Sequence, residues 1–286
     1  MFGPALRRVL RRVHGVREHV PGELRGWRWD EPPVKPRAYL GLGVSEVAYR
    51  YCESFRDVWL RRVKRASGSV GEPLRVGLVV HQVFHEAAWD LRRLLGMGLE
   101  PWDAAERLLA RAGRGRGWPR WAVGLYKALI TMWAGESAGS SLLYGGVSAG
   151  WLPWLSEYLV DGSPLGLSSR LRVDAVEGAG VVVEVKYGQA DWRHYVGLAG
   201  YALALEAAFE APYDYGVVVR VTGVPDSKPR ITLEPVYIGE ELRRRFLENR
   251  DDAIDVILSR IDPGVPSSCN TSCPFYSVCH PGVREG

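Results

Sequence analysis

The chain has 286 residues, 47% of them hydrophobic and 24% charged, which is the balance of a globular protein and excludes wholesale disorder or a fibrous repeat. Its longest uncharged stretch, Ser137 to Ser156, is interrupted by Gly, Pro and Ser, so no apolar span of about 20 residues exists to cross a membrane. The net charge of +4 is uneven: residues 1–65 carry 15 basic and 7 acidic side chains, against 22 and 26 in the remainder.

Met1 to Arg17 alternates Arg pairs with short apolar steps and lacks the apolar core and cleavage site of a secretory signal, so a cytoplasmic location is expected. A basic arm of this kind attracts phosphate backbones through counterion release. Arg enrichment of the thermophile or GC-rich kind, 32 Arg to 5 Lys, gives part of the same signal. Pro32-Pro33-Val34-Lys35-Pro36 reads as an extended linker, because proline excludes helix for itself and its predecessor. Residues 1–44 are therefore assigned to a leader and linker.

Residues 45–150 read as a helical region. Val47, Tyr51, Phe55 and Val58 recur near helical spacing between Ser45 and Lys64, which puts Cys52 on or beside a helix. Arg75 to Leu95 carries His81 and His85 four residues apart, on one helical side. Helices over Pro101–Ala112 and Trp118–Gly135 flank a basic Gly-rich loop. Past residue 150 the period becomes extended, with strands expected at Leu155–Val160, Leu171–Val176, Val181–Tyr187, Tyr215–Val221 and Ile231–Ile238. Helices are expected at Asp191–Ala211 and Glu240–Arg260. This order defines an α/β fold, a mixed sheet flanked by helices, with residues 151–262 as its core and a Cys-rich segment at 263–286.

The informative stretch runs from Arg172 to Tyr187. Two Val-rich strands meet at Glu177-Gly178-Ala179-Gly180, so Asp174 and Glu184 fall nearly opposite each other, and Glu184 and Lys186 share a face. Buried carboxylates need a compensating charge. A divalent cation supplies one, and oxygen ligands favour Mg²⁺ or Mn²⁺, which polarise phosphodiesters and activate water. Lys186 is then placed to stabilise developing negative charge. A surface Glu–Lys pair on a hairpin is the bland alternative. His85-Glu86 does not open a zinc-protease motif, because Trp89 occupies the second histidine position.

Asp174 followed by Glu184-Val185-Lys186 resembles the PD-(D/E)xK signature of RecB-like nucleases. With Cys52 upstream and Cys269, Cys273 and Cys279 downstream, the chain resembles the CRISPR-associated RecB-like exonucleases that carry an iron–sulfur cluster (the Cas-four type), especially their longer archaeal Csa-one branch. The matching motifs span Ser45 to Pro281. The resemblance implies metal ligation by His85, Asp174, Glu184 and the main-chain carbonyl of Val185, with Asp174, Glu184 and Lys186 catalytic. It implies a [4Fe–4S] cluster on Cys52, Cys269, Cys273 and Cys279. Four thiolates also suit structural Zn²⁺, although the x3 and x5 gaps are looser than paired zinc knuckles. The helix from His194 to Glu206 resembles the family's Gln-x-x-x-Tyr helix, with Tyr201 present and Gly197 in the Gln position. Tyr201, Tyr187, Gln189 and His194 are the candidate substrate-positioning residues.

The implied activity is metal-dependent exonucleolysis of single-stranded DNA ends in CRISPR spacer acquisition, with DNA and integrase proteins as partners, no membrane, and self-association left open. The competing reading is a DNA-binding adaptation subunit that recognises or protects prespacer ends without cutting them.

Overall fold

The computed structural model describes residues 4–69, 71–144, 152–177, 180–271 and 273–281. A five-stranded sheet lies in the order β1-β2-β3-β4-β5, from β1 (Leu155–Val160), β2 (Leu171–Glu177), β3 (Val181–Tyr187), β4 (Tyr215–Thr222) and β5 (Arg230–Tyr237). All neighbours are antiparallel except β3 and β4, whose parallel pairing requires the crossover helix α7 (Trp192–Phe209). Gly178 and Ala179 of the expected β2–β3 turn lie outside the described residues.

Both faces of the sheet are covered, which is why β3 and β4 are Val-rich runs with little polar alternation. On one face α1 (Pro4–His14), α4 (Glu72–Gly96), α5 (Pro101–Ala110) and α6 (Arg120–Tyr144) pack over Val181, Val183, Val185, Val217 and Val219. Phe84, Trp133 and Trp154 meet in tilted and edge-to-face contacts within this layer. On the other face α7 and α8 (Glu240–Ser259) pack over Val182, Val218 and Val236.

The expected helix from Ser45 to Lys64 is two helices, α2 (Val44–Ala48) and α3 (Arg56–Arg62), and Cys52 sits in the turn between them. Arg50 and Phe55 adopt left-handed backbone there, which stops the first helix and admits the second. Glu46 braces the pair, accepting from the Arg62 Nε–H at 3.0 Å and the Gly43 N–H at 2.7 Å.

The proline-rich segment expected as an extended linker is instead held against the core. Val20, Leu24, Val34 and Leu42 are buried in the α7/α8 layer. Buried Arg250 of α8 donates to the carbonyls of Pro33 and Val34 at 3.0 and 2.5 Å. Gly26 approaches α7 so closely that a Cβ would lie 1.9 Å from the Leu203 carbonyl oxygen. Its N–H donates to Glu206 at 2.8 Å. The Cys-rich segment ends in α9 (Tyr276–Cys279) and inserts Phe275 between Trp59 and Leu60 of α3. The Pro274 carbonyl accepts from the Ser69 N–H at 2.7 Å. The C-terminal segment thus closes back onto α3 and the residues just after it.

Candidate functional site

The site forms where three neighbouring strands present one row. Pairing of Ser156 with Ala175 and Tyr158 with Val173 puts Glu157 opposite Asp174. Pairing of Ala175 with Val183, continued by one residue, puts Asp174 opposite Glu184. Beyond that row the two strands are bridged by a side chain: the Val185 N–H donates to Asp174 Oδ2 at 2.8 Å. The faces also change here. Val173 packs with α7 and α8, whereas Ala175, two residues on, packs with α4 and α6. Asp174 thereby stands between the two helical layers.

Glu184 and Lys186 share a face as expected, and the Lys186 Nζ donates to Glu184 Oε1 at 2.6 Å. Glu184 is only 3% exposed, and its second oxygen, Oε2, is buried without a hydrogen-bond partner. Such an orphan carries a desolvation penalty unless another group meets it.

The histidine beside Asp174 is His81, not His85. His81 Nδ1 lies 3.2 Å from Asp174 Oδ1, while His85 Nδ1 is 2.8 Å from the Ser156 hydroxyl. Four-residue spacing puts both rings on one side of α4, one turn apart, so what selects between them is where the helix lies lengthwise on the sheet. The earlier turn, with His81, is the one at the acidic row.

The charges are mutually adjusted. Burial pulls the His81 imidazole down, but Asp174 outweighs it and holds it above its ordinary value. Burial pushes Asp174 up, and His81, Lys186 and the Val185 N–H outweigh that, keeping its carboxyl below the usual range. Glu184 is raised by burial and by Asp174 against the pull of Lys186. Lys186 is raised by Glu184 and Asp174 in spite of burial. One ammonium therefore serves two carboxylates, and the row remains rich in acidic oxygen.

Gly197 of α7 meets this row from above. A Cβ on Gly197 would lie 3.0 Å from Glu184 Oε2 and 3.5 Å from Oε1. The residue in the Gln position thus leaves room for the buried carboxylate. Gly197→Ala should favour α7 by about 1 kcal/mol while displacing Glu184 by a few tenths of an ångström. The expected outcome is an unchanged or raised Tm with turnover lowered by roughly tenfold, since misplacement of catalytic groups is costly. Parallel melting and rate measurements check both halves.

Tyr201, one turn on from Gly197, feels the site: burial, then Glu184 and Asp174, hold its hydroxyl well above the ordinary value. His194 packs edge-on to Tyr49 with ring centroids 5.7 Å apart. Burial and then Lys186 lower its imidazole to about 4. Tyr187 and His194 line a cleft of about 680 Å³ that also contains His81, Lys186, Tyr49 and Tyr51 and reaches Cys273. Tyr49 and Tyr51 stack with centroids 5.3 Å apart. Gln189 is exposed at the bend after β3 and is not among the residues lining this cleft. Tyr49, Tyr51 and Glu157 escaped the sequence reading. For Glu157 a signal existed: it is the acid in the strand that pairs with Asp174.

The basic Gly-rich loop lies elsewhere. With Arg93, Arg107, Arg111, Arg114 and Arg116 it walls a separate hollow of about 400 Å³. Trp118 beside it is engaged within the chain, under the Arg116 guanidinium at 4.7 Å.

The four cysteines are unpaired thiols brought together around α3. Cys279 Sγ accepts from Arg56 at 3.0 Å, and Arg56 also grips Asp262 with two bonds of 2.8 Å. Cys269 is raised by burial and by Cys52 and Cys279. Burial, with Asp57, Cys52 and Cys279 adding to it, pushes Cys273 up to about 11. Neighbouring cysteines thus disfavour one another's thiolate forms.

Fold and site together define a mixed-sheet α/β protein whose centre combines a row of acids, a buried lysine and a histidine. A family profile described as CRISPR-associated exonuclease Csa1 matches residues 1–282, including the basic leader. A Thermoproteus tenax protein of that description is 37% identical over 280 residues, covering 95% of this chain and 96% of its own length. One from Saccharolobus solfataricus is 31% identical over 292 residues, covering 96% and 97%. The chain belongs to the CRISPR-associated exonuclease Csa1 family.

Among the described residues no helix is long and apolar enough to cross a membrane.

Proposed function

We propose that the protein is a metal-dependent deoxyribonuclease that trims single-stranded DNA ends during CRISPR spacer acquisition, alongside integrase proteins. The observation that carries this reading is the row of Asp174 and Glu184 beside Lys186, with Glu184 Oε2 buried and unpartnered. The donors fit a hard divalent cation: His81, Asp174, Glu184 and the Val185 carbonyl would hold Mn²⁺ or Mg²⁺. When bound, such an ion polarises a phosphoryl oxygen and makes a nucleophile of water at neutral pH. Lys186, kept protonated by its two acidic neighbours, stabilises the negative charge that develops on the phosphate. Tyr49, Tyr51 and Tyr187 line the cleft together with Arg61, aromatic surface beside a cation, a combination that suits bases and a phosphate backbone.

The same reading gives Cys52, Cys269, Cys273 and Cys279 a [4Fe–4S] cluster. The x3 and x5 gaps of the C-terminal cysteines, looser than paired zinc knuckles, support a cluster over a single zinc ion. The cluster would tie α3 to the C-terminal segment and brace one wall of the cleft. Cys279→Ala is expected to remove the broad visible absorption of the anaerobically purified protein and to lower its Tm. A colourless wild type with bound zinc would contradict this assignment.

The activity test is incubation with end-labelled single-stranded DNA and Mn²⁺, with and without EDTA. Chelator-sensitive shortening is expected. Binding with no shortening would favour the subunit that recognises or protects prespacer ends.

A further inference from the structure

Glu157 is the one non-glycine residue inside a strand whose backbone is left-handed, with φ at +54°, among the described residues. Of the other non-glycine residues with positive φ, Arg50, Arg65, Glu210 and Arg260 follow helices, where that conformation stops a helix, and Phe55 is the N-cap of α3. Glu157 has no helix to stop. The Cβ of any non-glycine residue disfavours this region, and such outliers persist where surroundings over-determine them.

The consequence of the conformation is the placement of the carboxylate. Glu157, His81 and Asp174 each offer a ligand atom, and these atoms lie within 4.8 Å of one another. The partner strand supplies Asp174 directly opposite. The strand beyond supplies Glu184, whose buried Oε2 has no hydrogen-bond partner. The unpartnered carboxylate is an observation independent of the strain, and it belongs to the same cross-strand row that Glu157 and Asp174 occupy. Glu157 Oε2 also lies 3.2 Å from the guanidinium of Arg172, which is 67% exposed. Exposed pairs of this sort contribute little, so the ion pair does not account for a strained backbone.

We propose that Glu157 is a ligand of the divalent cation, supplied by the edge strand and aimed by its left-handed backbone, with Arg172 holding the carboxylate when the site is empty. The proposal rests on the metal-dependent reading above and adds a residue to it. An additional carboxylate raises the site's negative charge and its demand for a hard dication.

The test is equilibrium Mn²⁺ binding to the full-length protein, read from the loss of the free-ion electron paramagnetic resonance signal, with melting of the metal-free protein in parallel. Glu157→Gln and Glu157→Gly should each weaken Mn²⁺ binding by tenfold or more. Glu157→Gly, which removes the backbone penalty, should melt no lower than wild type without metal. Arg172→Gln should bind Mn²⁺ at least as tightly as wild type. If both Glu157 variants bind as wild type does while Asp174→Asn loses binding, the proposal is overturned and the metal-dependent reading stands. If wild type binds no Mn²⁺, both fall together.

Discussion

Asp174→Asn is expected to reduce DNA cleavage by at least about a thousandfold, the scale on which removing one centre of transition-state charge stabilisation acts. The protein should remain folded and should bind DNA nearly as well as before. Asparagine keeps the size of the side chain and an oxygen to accept the Val185 N–H, which Asp174 receives at 2.8 Å. Lys186 keeps its 2.6 Å bond to Glu184. Lys186→Met differs in a way that separates the two roles. It removes the cation from a carboxylate that is 3% exposed, so both activity and stability should fall. Cleavage rates and denaturant midpoints measured on the two variants distinguish these patterns, and an Asp174→Asn protein that cuts at the wild-type rate would refute the site.

The second large effect lies away from the cleft. Glu206 and Arg243 are both 0% exposed and joined by two bonds of 2.8 Å. Glu206 also accepts from Arg25 at 2.9 Å, the Gly26 N–H at 2.8 Å and the Tyr213 N–H at 3.1 Å. Arg243 reaches Asp214 at 3.0 Å and the Ile238 carbonyl at 3.0 Å. The network staples the N-terminal segment across α7 to the start of α8. Glu206→Ala leaves a buried guanidinium without its main counter-charge, and loss of one partner of such a pair costs about 3–5 kcal/mol. For a chain of this size that lowers Tm by roughly 10 °C. The folded fraction should still cleave DNA. A loss of stability below about 1 kcal/mol would show that Asp214 alone can hold Arg243.

The parts of this architecture that were legible in the sequence were those governed by local periodicity. All five strands and both long helices of the second half fall within a few residues of their expected places, because Val-rich runs and apolar helical stripes report burial directly. The Asp174–Glu184 opposition was legible too, since a short hairpin fixes its own register. What depended on tertiary packing was not. The choice between His81 and His85 turns on where α4 lies lengthwise along the sheet, which their four-residue spacing does not specify. The break between α2 and α3 uses left-handed Arg50 and Phe55 where glycine would have announced a turn. The N-terminal segment reads as polar by composition, yet Leu24 and Val34 are buried and Arg250 reaches across to hold its carbonyls. Glu157 was hidden for a related reason: strand alternation assumes extended backbone, and this residue departs from it.

The most direct measurement is an anomalous difference map from a crystal equilibrated with Mn²⁺. A peak is expected bonded to an Asp174 oxygen, between His81 and the Glu184 carboxylate and within reach of Glu157. Contradiction would be a map with no peak at that row while Mn²⁺ is bound elsewhere on the protein.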